Sequence, residues 1–145
     1  GREIYVGVLG NDRLRVLPVW ELNFGELAKG ANPIATEKVK HDPRYQKRRG
    51  IEIGPAKLPA ELLSRIRSTL KRICRTLELD GYARIDFRLT ADGVPYFLEA
   101  NPNPEIAKSE EFAQAAQHDG LTYPELLNRI LGLAIKRAGQ DGLEE

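Results

Sequence analysis

An α+β fold, an antiparallel sheet with helices packed on one face, is what this sequence predicts, and three features carry that expectation. Two β-rich runs, Arg2 to Leu9 and Arg13 to Leu22, are split by the turn residues Gly10-Asn11-Asp12. Two more, Ala83 to Leu89 and Tyr96 to Asn101, flank Asp92-Gly93, the strongest short-range hairpin signal. Two further segments repeat apolar residues at three and four positions, the period of an amphipathic helix.

Arg2 to Leu9 reads as a strand from its first residues, and the chain contains no Met, so residues 1–145 read as one domain excised from a larger protein. In Arg13 to Leu22, period two puts Leu14, Val16, Pro18 and Trp20 on one face, with Pro18 marking an edge or a bulge. Periodicity then fails from Asn23 to Leu58, where Pro33, Pro43, Pro55, Gly30, Gly50 and Gly54 interrupt the chain. So long an irregular run is functional or mobile in compact domains, and it holds the most basic stretch, Glu37 to Arg49.

Pro59-Ala-Glu-Leu opens a helix with an acid in its first turn, and Leu63, Ile66, Leu70, Ile73, Cys74 and Leu77 form its core stripe. Cys74 on that stripe is a core thiol rather than a nucleophile. The hairpin comes next, and a two-residue turn at Asp92-Gly93 sets Asp86 across from Glu99 and Arg84 across from Asn101. Its core side is then Ala83, Ile85, Phe87 and Leu89 with Tyr96, Leu98 and Ala100. A short helix runs from Ser109 to His118. Thr122-Tyr-Pro-Glu caps a last helix, whose apolar positions are Leu126, Leu127, Ile130, Leu131, Leu133 and Ala134.

Composition narrows the function classes. Hydrophobic residues make up 41% and charged residues 30%, and the net charge of +1 supplies no field to draw nucleic acid or membrane. One cysteine excludes an internal disulfide framework and favours the cytoplasm, and no apolar run or leader points to a membrane. His41 and His118 lack partners at metal spacing, no glycine-rich phosphate loop is present, and no Ser-His-Asp set can be inferred.

The hairpin carries the chemistry. Like charges directly opposite on adjacent strands repel, so Asp86 facing Glu99 calls for a cation between them. Asp, Glu and Asn offer oxygen only, which suits a hard ion such as Mg²⁺, and Arg84 alongside would face an anion. The residues alone leave a second reading open: an exposed sheet face on which Arg84 and Arg88 neutralise the acids. Likewise Lys40 with Arg44 to Arg49 reads as a solvated loop, and Glu3 as a surface acid.

Several motifs occur together in an order that resembles one family. Gly1-Arg-Glu-Ile-Tyr-Val-Gly-Val-Leu, Val39-Lys40-His41, Tyr82-Ala-Arg-Ile-Asp-Phe, Leu98-Glu-Ala-Asn-Pro102 and Gly120-Leu-Thr-Tyr-Pro-Glu-Leu-Leu resemble the C-terminal catalytic lobe of the ATP-grasp superfamily, in its D-alanine–D-alanine ligase-like branch. The resemblance implies that Asp86, Glu99 and Asn101 hold Mg²⁺ (or Mn²⁺) bridging the phosphates of ATP. It implies that Arg84 and Lys40 meet the transferred phosphoryl group, and that Glu3 holds the ribose hydroxyls. The implied reaction joins a small carboxylate to an amine through an acyl-phosphate, with upstream lobes of the same protein completing the site, so the isolated chain is expected to be inactive. Glu105 stands where the family has Gly, which argues against two D-alanines as substrates. Two other readings remain: a degenerate ATP-grasp lobe kept for binding or assembly, and a Mg²⁺-dependent nuclease. The nuclease pattern wants Lys where Asn101 stands.

Overall fold

The computed structural model describes residues 1–23 and 50–141. The Val39-Lys40-His41 motif, the basic stretch, and most of the irregular run therefore lie outside the described residues. Six strands form one sheet: β1 (Arg2–Leu9), β2 (Arg15–Val16), β3 (Trp20–Asn23), β4 (Glu52–Pro55), β5 (Tyr82–Leu89) and β6 (Pro95–Asn101). Among the described residues, three helices accompany it: α1 (Ala60–Thr76), α2 (Glu111–His118) and α3 (Tyr123–Asp141). The sheet order is β4-β3-β1-β5-β6 with β2 also on β1, and every pairing is antiparallel.

The α+β class and the antiparallel sheet match the expectation, but the helices divide between both faces of the sheet. On one face Ile4, Val6, Val8, Ala83, Ile85, Phe87 and Leu89 pack with Ile66, Leu70 and Cys74 of α1. On the other, Tyr5, Leu9, Leu17, Trp20 and Leu22 meet Phe112, Ala113, Ala115 and Ala116 of α2 and Leu126 of α3. This is why β1 is buried at every position after Arg2 instead of alternating with solvent.

Pro18 does mark a bulge. Val8 pairs with Val16 and Tyr5 with Trp20, so the register slips by one residue between β2 and β3. The slip turns the strand over: Val16 packs on the α1 side, whereas Trp20 packs on the α2 side, and the single face expected for both does not form. The run after Asn23 also contains an element that periodicity misses. Residues Glu52–Pro55 pair with β3 as an edge strand, too short and too rich in Gly and Pro to show alternation.

The helices obey their sequence signals with local exceptions. Thr122 Oγ1 and Glu125 form a capping box, in which Thr122 N donates to Glu125 Oε2 at 2.7 Å. Those bonds hold the Glu125 carboxyl below its ordinary pKa. Leu77 caps α1 and is exposed although it belongs to the expected core stripe, and Leu127 and Leu131, apolar positions of α3, face outward.

Gly7 sets how closely α2 approaches the sheet. A Cβ there would lie 2.8 Å from Leu17 Cδ1 and 2.9 Å from the Phe112 ring, so only glycine lets α2 settle this near to β1. Gly7→Val is therefore expected to overpack this contact and destabilise the fold by roughly 1–3 kcal/mol. Urea unfolding followed by far-UV circular dichroism measures it, and an unchanged midpoint would show that α2 sits more loosely.

Candidate functional site

The hairpin that carries the acids is built differently from the expected two-residue turn. Ala91, Asp92 and Gly93 form a three-residue loop: Thr90 N donates to Val94 O at 3.0 Å, and Gly93 takes φ +79°. That shifts the pairing by one, so Phe87 opposes Phe97 and Arg88 opposes Tyr96. A bulge at Leu98 then shifts it back. Asp86 opposes Glu99 and Arg84 opposes Asn101, the pairs that the sequence predicts. The detour has a visible cost in β6, where Tyr96, Phe97 and Leu98 are 60%, 46% and 51% exposed. The expected apolar side of β6 is thus confined to Ala100, which packs partly on the α1 face.

Arg84 is the centre of the cluster. Its Nε and Nη2 donate to the two carboxylate oxygens of Asp86 at 2.8 and 2.9 Å, a bidentate fork. Glu99 lies 3.8 Å from the same guanidinium, and Glu111, at the start of α2, lies 3.9 Å away. The guanidinium also stands 5.0 Å over the ring of Tyr5, within cation–π range. Burial works against the Arg84 charge, and the Asp86 carboxylate outweighs it, so its proton affinity is raised overall. Both side chains are largely sequestered, Asp86 5% and Arg84 14% accessible, whereas Glu99 is 63% accessible.

A second pair lies beside the first. Glu3 accepts from the Tyr5 hydroxyl and from Arg88 Nη1, both at 2.9 Å. Both of its oxygens are engaged and it is buried, so a sugar hydroxyl would have to share or displace these contacts. Burial, followed by the neighbouring Glu3 charge, pushes the Tyr5 phenol far above its ordinary pKa. Asn101 Oδ1 accepts from Asn103 N at 2.9 Å, which fixes the amide at the strand end, and the Tyr82 hydroxyl donates to Asn103.

Asp86, Glu99, Asn101, Arg84 and Glu3 thus occupy one face of the sheet, while Lys40 lies outside the described residues. The donor set suits a hard cation: two carboxylates and an amide, with one lone pair left on the Asn101 oxygen. Among the described residues, no group of three His, Cys, Asp or Glu gathers at metal distance, so the amide would be needed as a donor. Glu111 is the member that sequence reasoning missed. Its one signal is an acid in a first helical turn, which by itself suggests only favourable interaction with the helix dipole. Glu105, after the buried Pro104, is exposed.

Comparisons with known proteins place these features in context. A family model described as "D-ala D-ala ligase C-terminus" matches residues 1–132. Among curated relatives, "Uncharacterized protein y4sG" of Sinorhizobium fredii is 33% identical over 99% of this chain and 41% of its own length. The D-alanine–D-alanine ligase of Geobacillus kaustophilus is 33% identical over 94% of this chain and 35% of that enzyme. Among solved structures, the D-alanine–D-alanine ligase from Bacillus anthracis complexed with ATP superposes with a TM-score of 0.73 at 21% identity, covering 97% of this chain and 40% of that one. The VanG D-Ala:D-Ser ligase from Enterococcus faecalis gives 0.71 at 26% identity, covering 92% and 36%. The chain spans about two-fifths of the length of these relatives.

The Tyr5–Glu3 contact has a pH signature. The folded pKa of Tyr5 is raised, so its contribution to stability is present below the ordinary value and is lost as pH rises past about 10. Tyr5→Phe should cost about 1–2 kcal/mol at neutral pH by leaving buried Glu3 short of a donor. It should also lose less stability than the parent sequence above pH 10. Denaturant unfolding of both proteins across that range tests this, and parallel curves would contradict it.

Proposed function

Because the chain belongs to the D-ala D-ala ligase C-terminus family, we propose that it is the catalytic lobe of an ATP- and Mg²⁺-dependent carboxylate–amine ligase acting through an acyl-phosphate. One observation supports this reading above others: Asp86 and Glu99 stand directly opposite, with the Arg84 guanidinium between them, on one face of the sheet. Lobes preceding this one, matching the greater length of the relatives, would complete the nucleotide site.

In this proposal Asp86, Glu99 and Asn101 would hold a divalent ion, which would supply positive charge to neutralise and orient the triphosphate. Arg84 and Lys40 bind the γ-phosphoryl group, and Glu3 accepts from the ribose hydroxyls. A substrate carboxylate oxygen bonds to γ-phosphorus as the bridging bond to ADP breaks. An amine then attacks the acyl carbon, phosphate leaves, and the amine sheds its proton. Little of this is covalent work for the protein, so fixed charge at the right place supplies most of the acceleration. Arg84 suits that task because the Tyr5 ring and Glu111 keep its guanidinium at the site before substrate arrives. The exposed carboxylate of Glu105 would favour an acceptor bearing an ammonium group over the carboxylate of a second D-alanine.

Asp86→Asn and Glu99→Gln, made in the longer protein, should each lower ATP-dependent ADP release by at least roughly a hundredfold, the scale of losing a preorganised charge contact. Acceptor amines are compared in the same assay, with amino acids set against polyamines. Unchanged turnover in both variants would point instead to a lobe retained for binding or assembly. D-alanine as the preferred donor and acceptor would remove the role given to Glu105.

A further inference from the structure

Arg84 already occupies the electrostatic position that a divalent ion would take. Its fork engages both oxygens of Asp86 at 2.8 and 2.9 Å, and Glu99 and Glu111 flank it at 3.8 and 3.9 Å. Among the described residues, three carboxylates thus surround one guanidinium, and the charges of these four groups sum to about −2, which a single divalent ion would balance. Asp86 is nearly inaccessible beneath the fork, so the fork and a metal ion cannot share the same carboxylate edge. The guanidinium has other holds that do not involve Asp86: the Tyr5 ring beneath it and Glu111 on the α2 side.

We propose that Arg84 is an exchangeable internal counter-ion of the metal end of this site, competing with the divalent ion for Asp86. The proposal rests on the ligase reading above and assigns Glu111 a part in it. When the fork leaves Asp86, the guanidinium stays over Tyr5, held by Glu111, and turns its donors toward an incoming phosphate. A bare cation must displace the fork without replacing its hydrogen bonds, so it binds weakly. A cation arriving with a polyphosphate brings new acceptors for Arg84 and binds tightly. Metal and nucleotide therefore enter together, and Asp86 stays paired with Arg84 until they do. Glu111 acts here as a positioning residue, since it reaches the metal end only through Arg84.

Mn²⁺ alone, titrated into the 145-residue chain and followed by the loss of the free-ion electron paramagnetic resonance signal, reads the competition directly. Arg84→Ala should bind Mn²⁺ about tenfold more tightly than the parent chain, the effect of removing one unit charge some 5 Å from a divalent ion in a water-like medium. Arg84→Lys keeps the charge but cannot form the fork, so it should fall between the two, and it carries the test if the alanine variant does not fold. Asp86→Asn should abolish Mn²⁺ binding at this site in each of these backgrounds. Equal Mn²⁺ affinity in the parent chain and both Arg84 variants, still dependent on Asp86, would overturn the competition and leave the metal-site reading standing. No Mn²⁺ binding in any variant would overturn both.

Discussion

The fork of Arg84 onto Asp86 is the constraint on which the rest of the site depends. Taking a carboxylate and a guanidinium out of water costs several kcal/mol each, and the pair recovers this only with good geometry and further hydrogen-bonding partners. Here the geometry is bidentate, Tyr5 supplies a ring beneath, and Glu99 and Glu111 add charge around the fork. Removing either partner would break a largely buried ion pair, a loss on the order of 3–5 kcal/mol. A pair this costly at the centre of a sheet is weak evidence for stability. It makes better sense as a charge held ready for something that arrives later.

The fold around the pair is arranged to keep it in place. β1 lies mid-sheet, and its pairing with β5 sets Tyr5 beside Asp86 and Glu3 beside Arg88, so the two arginine–carboxylate contacts share one face. Gly7 opposes Arg84 and allows α2 to come close, which carries Glu111 to the guanidinium. Arg15 reaches across to Asp119 at the other end of α2, tying that helix to the sheet beyond its apolar contacts. Backbone geometry at one glycine and a few long-range polar contacts thus decide where the charges stand.

Much of this was legible in the sequence, and the misses have physical causes. The opposition of Asp86 to Glu99 follows from alternation, yet it is reached through two departures that cancel: a turn longer by one residue and a bulge at Leu98. Asp-Gly specifies a tight turn but not its length, and no residue type announces a bulge on an exposed edge strand. Alternation also cannot tell one covered face from two, which is why α1 and α2 were expected on the same side. Pro18 gave a true bulge signal, though not its consequence of turning β3 over relative to β2. Glu111 stands ten residues beyond Asn101 with no motif around it, and the packing of α2 on the sheet, with Phe112 close to Gly7, brings it to Arg84.

In the proposed function, this lobe would present charge on a sheet face and leave the rest of the nucleotide to other parts of the protein. The central proposal is local: Asp86, Glu99 and Asn101, at the end of the hairpin, would hold a divalent cation. Paramagnetic broadening by Mn²⁺ in a ¹⁵N-labelled sample, with tripolyphosphate present to engage Arg84, tests it residue by residue. Broadening should centre on the amides of Asp86, Glu99 and Asn101 and reach the first turn of α2 with lesser effect. Broadening centred instead on Asp12, Glu78 and Asp80, which line a separate cleft, would contradict the account.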